Sequence, residues 1–208
     1  MSDKFTGLGV VGLLGSLRPG SYTRIALDIA LQGATEMGAK TQLLDLSEYE
    51  LAFCTGPDQG NYPADVYRLR DSVRKAQGII LATPEYHGSY SGVLKKALDL
   101  MGFDEFAMKM VGLVGVSGGA MGASGALASL RTVGRSLRAW VLPLQVSIAQ
   151  GRNAFDKNGH LKDNQIHDRL LELGRQVARF AYLHTSEQAH DFLLAWEESQ
   201  PNPGGRCC

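Results

Sequence analysis

The sequence predicts an α/β fold: an open five-stranded parallel sheet with helices on both faces. Three observations lead there. Short apolar runs alternate with amphipathic segments along most of the 208 residues. The runs are apolar at nearly every position, as strands buried on both faces require, so they do not alternate apolar with polar. Clusters of glycine and hydroxyl residues follow the first, third and fourth runs, where open α/β sheets bind ligands beyond their carboxyl ends.

Each element has its own signal. Leu8 to Leu14 (LGVVGLL) reads as a first buried strand. Tyr22 to Met37 carries Ile25, Ile29 and Gln32 at helical spacing, with Leu27, Ala30, Leu31 and Ala34 widening the apolar face, and Gly38 stops it. Thr41 to Leu46 is a second strand, Ser47 to Pro63 a polar loop, and Ala64 to Ala76 a helix with arginines on its wet side. Gly78 to Ala82 (GIILA) is the third strand; it ends at Thr83, with Pro84 stopping the ladder. Val93 to Met101 is a helix, Met110 to Val116 the fourth strand and Ala126 to Leu137 a helix. Trp140 to Val146 is the fifth strand, and Pro143 marks it as an edge or a strand end. Asn164 to Leu183 is a long helix, and Ser186 to Glu198 a shorter one. With no compositional break, residues 1–200 read as one domain and residues 201–208 (PNPGGRCC) as a disordered tail.

Composition removes several functions. Lys plus Arg and Asp plus Glu are both 21, so no net positive charge argues for nucleic acid or anionic membrane as partner. No apolar window reaches membrane-spanning length, and the glycine-punctuated N-terminus reads as a strand, not a signal peptide. The three cysteines, Cys54, Cys207 and Cys208, form neither a disulfide framework nor a zinc spacing, so a reduced, cytoplasmic setting is expected. The terminal Cys207-Cys208 pair lacks the polybasic neighbourhood of a lipidated tail. Histidines 160, 167, 184 and 190 have no metal-ligand spacing.

The three loops carry the chemistry. Gly15 to Thr23 (GSLRPGSYT) joins a strand to the N-terminus of a helix, where free N–H groups and the helix dipole favour an anion. Ser16, Ser21 and Thr23 add hydroxyls and Arg18 a charged fork, a donor set for a terminal phosphate. The same residues also fit a plain helix cap with Ser21 at the N-cap. Thr83 to Gly92 (TPEYHGSYSG) offers backbone groups beside Tyr86, His87 and Tyr90, which suits the edge of a flat heteroaromatic ring or a capped turn with surface aromatics. Ser117 to Gly125 (SGGAMGASG) is the third. Gly7 to Gly12 matches GxGxxG, but the match lies inside the first strand instead of between strand and helix, and only Asp45 stands near the end of the second strand. The match is accidental on that reading. Arg131, Arg135 and Arg138 fit a solvated helix face, an NADP 2′-phosphate site or a subunit contact.

These three motifs, in order, resemble those of the NAD(P)H-dependent FMN reductases. PEYHGSYSGVLKKALD is similar to their PEYN-x-S-x-x-x-x-LKNA-[IL]-D signature, GSLRPGSYT to their phosphate loop GS-x-R-x-x-S-x-[NT], and SGGAMGA to their third, glycine-rich loop. The resemblance covers roughly residues 8 to 150. It implies a flavodoxin-like fold and non-covalently bound FMN. Carried over by position, Ser16, Arg18, Ser21, Tyr22 and Thr23 surround the phosphate. Pro84, Glu85, Tyr86, His87 and Gly88 line the isoalloxazine, and Ser117, Gly118 and Gly119 pack near its pyrimidine end. It further implies NADPH or NADH as hydride donor, a flavin, quinone or similar small molecule as acceptor, and chemistry carried by FMN with no catalytic side chain. A homodimer or homotetramer follows by analogy, with the Ser47 to Pro63 loop over a neighbour's flavin. The alternative is a flavodoxin-like carrier reduced by a protein partner; the neutral charge and the GS-x-R loop favour the enzyme. Two positions depart from the pattern: His87 where asparagine is common and Gly92 where proline is frequent.

Overall fold

The computed structural model describes residues 5, 7–56 and 60–185. Strands β1 (Gly9–Leu14), β2 (Lys40–Asp45), β3 (Gly78–Tyr86), β5 (Met110–Val116) and β6 (Trp140–Ile148) form the expected five-stranded parallel sheet in the order β2-β1-β3-β5-β6. A two-residue strand, β4 (Ser89–Tyr90), pairs antiparallel with the end of β3. Helices α1 (Tyr22–Glu36) and α7 (Asn164–Thr185) cover one face. Helices α2 (Ala64–Lys75), α3 (Gly92–Asp99) and α5 (Ser124–Ser136) cover the other. Two single-turn helices, α4 (Phe103–Phe106) and α6 (Gly151–Ala154), and a 3-10 turn, Leu46–Glu48, complete the described elements.

Strand geometry explains the two layers of core. Successive side chains point to opposite faces, so Val10, Ile80 and Val114 pack with α1 and α7. Val11, Ile79, Leu81, Val111 and Leu113 pack with Leu69, Leu94 and Leu127 of the opposite helices. Because both sets are apolar, the runs lack alternation. The strand order reverses between β1 and β3, and this switch point opens a crevice at their carboxyl ends.

One expectation changes, and others gain detail. Pro84 does not stop the ladder: β3 runs on to Tyr86, with Pro84 in register with Val116. The β1 partner has already ended at Ala82, so that side of β3 needs no N–H from Pro84. Pro143 does mark an edge strand, and it also sits in a bulge, since Leu142 to Leu144 lie between the partners of Val111 and Leu113. Of the three arginines after α5 begins, Arg135 and Arg138 are exposed, in keeping with a solvated helix face. Arg131 donates to Gln145 Oε1 and to the carbonyls of Leu142 and Pro143, latching that bulge, and Arg138 lies 4.3 Å over the Phe103 ring. The GxGxxG match is indeed a packing feature: a Cβ at Gly12 would stand 2.7 Å from Leu27. Asp45 is committed to Arg24 and to Ser47. The helix expected at Ser186 to Glu198 and the tail lie outside the described residues.

Candidate active site

The first loop leaves β1 at Gly15, whose N–H donates to Ala82 O at 2.8 Å. Ser16 is buried, and its Oγ accepts from Arg18 N at 3.4 Å. Ser21 is the N-cap of α1: its Oγ accepts from Arg24 N at 3.2 Å. Capping and anion binding are therefore compatible, because the N–H groups of Tyr22 and Thr23 have no partner among the described residues. Thr23 is buried beside them, and the Arg18 side chain extends into solvent.

The second loop is a hairpin. Glu85 pairs with Tyr90 and Tyr86 with Ser89, and the turn between them is His87-Gly88, with φ of 51° and 79°. Two left-handed central residues define a type I′ turn, which favours Asn-Gly. His87 is thus placed for backbone reasons in a position that asparagine fills with less strain. Changing His87 to Asn should raise stability by about 0.3 kcal/mol and keep FMN affinity. Thermal melts and flavin titration check this; a loss of affinity beyond tenfold would show that the imidazole touches the ligand.

Ser91 joins the first two loops. Its Oγ donates to Gly15 O at 2.6 Å and accepts from Leu94 N at 3.2 Å, capping α3, while its N–H donates to Thr83 Oγ1 at 3.0 Å. Ser91→Ala removes a cap and leaves buried groups unpaired, for an expected cost of about 2 kcal/mol. Urea denaturation measures it, and a change below about 0.5 kcal/mol would show that the latch is not needed.

The third loop follows Val116. Ser117 N donates to Ile148 O, and Gly119 N to Ser117 Oγ at 3.1 Å. Glu85 reaches across from the hairpin: its Oε2 accepts from Ala126 N at 2.9 Å, capping α5, which has no cap from its own N-cap residue. The carboxylate therefore fixes the second loop to the third.

A cleft of about 420 Å³ lies among these loops, within the range of cofactor sites. It brings together Ser16, Arg18, Ser21, Tyr22 and Thr23 from the first loop, Pro84, Glu85 and Tyr86 from the second, and Ser117 and Gly118 from the third. His87, Gly88 and Gly119 are not on its wall. Sequence reasoning missed Gly151 and Arg152, which do line it and come from the segment after β6. Their only sequence signal is a glycine-basic pair following the last strand. The first loop carries hydroxyls, helix N–H groups and a guanidinium, the donor set for a phosphate. The third loop leaves space: Gly118 lines the cleft, and a Cβ built on it meets no atom within 4 Å. The residues present fit FMN. Among the described residues no acidic, His or Cys cluster suits a metal, and no helix is long and apolar enough to cross a membrane.

Parallel strands in the order β2-β1-β3-β5-β6, with this cleft at the switch point, define a flavodoxin-like fold. The NADPH-dependent FMN reductase family profile matches residues 8–153, so the chain belongs to that family, whose members are oxidoreductases using FMN with a reduced nicotinamide. The chain is 31% identical over 183 residues to the NADPH-dependent FMN reductase ArsH of Shigella flexneri, covering 82% of this chain and 68% of that one. It is 32% identical over 174 residues to an FMN-dependent NADPH-azoreductase of Staphylococcus aureus, covering 81% and 92%. Among solved structures, the flavoenzyme FerB of Paracoccus denitrificans shares the fold with a TM-score of 0.71 and 23% identity, covering 85% of this chain and 98% of its own. An archaeal flavodoxin superimposes with a TM-score of 0.58 and 14% identity, covering 83% and 97%. The family match and the curated relatives support the reductase over the electron carrier.

Proposed function

We propose that the three-loop cleft is the FMN site of a reductase that draws on NADPH or NADH and serves a small acceptor such as a free flavin, a quinone or an azo compound. The observation that carries this is the convergence of loops from β1, β3 and β5 on one cleft, with hydroxyl, helix N–H and guanidinium donors from the first loop and open space at Gly118 of the third. When bound, FMN supplies the redox chemistry, taking hydride from the nicotinamide and yielding electrons to the acceptor. The chain's own residues bind and orient. Ser16, Arg18, Ser21, Tyr22 and Thr23 hold the phosphate; Pro84, Glu85 and Tyr86 support the ring edge, with His87 and Gly88 shaping the hairpin behind it. Ser117, Gly118 and Gly119 border the pyrimidine end. Tyr86 and Met121 are exposed beside these loops and offer apolar surface to the second substrate.

The acceptor class is drawn from the named relatives, which include an FMN reductase and an azoreductase, and from a solvent-accessible cleft. We also propose a homodimer or homotetramer. Exposed Leu17 and Phe53 flank a second, apolar cleft of about 370 Å³ with Leu46, Leu51 and Val93, next to the loop expected to reach a neighbouring subunit. A cytoplasmic setting suits the exposed free thiol of Cys54.

The test is a visible spectrum of protein reconstituted with FMN, desalted, and mixed with NADPH without oxygen. Retained colour that bleaches supports the reductase; retained colour without bleaching returns the carrier; no flavin binding in titration removes the reading. Arg18→Ala should weaken FMN binding by about 1.5 kcal/mol, near the lower end for a charged hydrogen bond because the group is exposed. Unchanged affinity would reject Arg18 as a phosphate ligand.

A further inference from the structure

We infer that Arg152 is a second phosphate-binding cation of the flavin site, so that the cleft is built for a phosphate dianion and discriminates FMN from riboflavin. The inference rests on the flavin reading above and concerns a residue outside the three motif loops.

The position of Arg152 is strongly fixed. Gln150, two positions before it, is left-handed at φ 47°, a conformation a non-glycine residue keeps only where its surroundings impose it. Gln150 N donates to Gly119 O at 3.0 Å and Gly151 N to Ser117 O at 2.9 Å, tying this segment to the third loop. Asn153 N and Ala154 N close back onto Gln150 O. Gly151 is buried, and a Cβ there would stand 3.2 Å from both the Tyr22 ring and Val116. Tyr22 in turn stacks on Phe155, with centroids 4.7 Å apart and planes 9° apart. The backbone of residue 152 is therefore held between the start of α1 and the third loop.

The charge pattern gives the ligand. Arg18 and Arg152 line the same cleft, and neither guanidinium has a hydrogen-bond or ion-pair partner among the described residues. Arg24, Arg74, Arg131 and Arg175 are all committed to acceptors. The one carboxylate on the cleft wall, Glu85, spends Oε2 on Ala126 N. Two uncommitted guanidiniums lining the same cleft as the buried Ser16, Ser21 and Thr23 match a group with two charges and several acceptor oxygens.

The test titrates apoprotein with FMN and with riboflavin, for the wild type, Arg152→Ala and Arg152→Lys, at low and high salt. Arg152→Ala should weaken FMN about tenfold, leave riboflavin affinity unchanged, and flatten the salt dependence; Arg152→Lys should recover part of the loss. Since the side chain is exposed, the melting temperature of the apoprotein should not move. Equal losses for FMN and riboflavin would assign a packing role and overturn the proposal. Unchanged FMN affinity would also overturn it, and if the KM for NADPH alone then rose against that for NADH, the cation would belong to the nicotinamide 2′-phosphate. A wild type that binds neither flavin would remove the flavin reading itself, an outcome distinct from all of these.

Discussion

Gly118→Val is expected to leave the fold intact and weaken FMN binding about a hundredfold, or ~2.7 kcal/mol. The backbone at Gly118 is not in the left-handed region, and a Cβ there meets no protein atom within 4 Å. Apoprotein stability should therefore stay within about 0.5 kcal/mol of wild type. The open space is the third loop's share of the cleft, so a branched side chain enters the volume assigned to the ring. Overpacking a ligand site carries costs of this order, as in a core. Isothermal titration with FMN and a urea melt of the apoprotein separate the two effects. Normal flavin occupancy would move the ring away from the third loop, and unfolding would show that the glycine serves the backbone instead.

Gly174→Ala should do the opposite, destabilising the protein by about 3 kcal/mol or more. Helices α1 and α7 cross where Gly33 meets Gly174, so closely that a Cβ on Gly174 would overlap the Ala30 carbonyl oxygen, and one on Gly33 that of Leu171. Alanine favours a helix over glycine by about 1 kcal/mol. That gain is smaller than the cost of separating two backbones, neither of which can rotate away as a side chain would. For a domain of this size the loss corresponds to a fall of roughly 6–12 °C in Tm. Because α1 presents Ser21, Tyr22 and Thr23 at its N-terminus, displacing it should also weaken FMN in whatever fraction still folds. A thermal melt decides it; a Tm within about 2 °C of wild type would mean that the helices can slide apart at little cost.

Both predictions concern glycines, and they separate what was legible from what was not. The sequence marked Ser117 to Gly125 as a ligand loop because a glycine and hydroxyl cluster followed a buried run. It gave no such sign for Gly33 and Gly174, which sit singly inside good helical periodicity and become meaningful only when two helices cross. Ser91 and Glu85 behave likewise. The motif contained both, yet Ser91 latches onto Gly15, 76 positions earlier, and Glu85 caps α5, 41 positions later. Neither partner can be named from local spacing.

The hairpin at β3 shows where a local rule yields to pairing. Proline lacks a donor, so Pro84 read as the end of the third strand. In the sheet the cost vanishes, since β1 has already ended on one side and β5 continues in register on the other. His87 and Gly88 then make the turn, and its left-handed backbone explains why asparagine is the common family residue at the position His87 occupies.

The sequence by itself determined the fold class, the positions of the five parallel strands and the three loops that meet at their carboxyl ends. These rest on periodicity and on the residue types that turns and caps require, both local properties of the chain. Tertiary structure alone decided which loop residues share the cleft, which polar groups are already spent on one another, and that Arg152 stands there uncommitted. Those depend on strand order and helix crossing, which bring together residues more than a hundred positions apart and consume some of their hydrogen bonds while leaving others for a ligand.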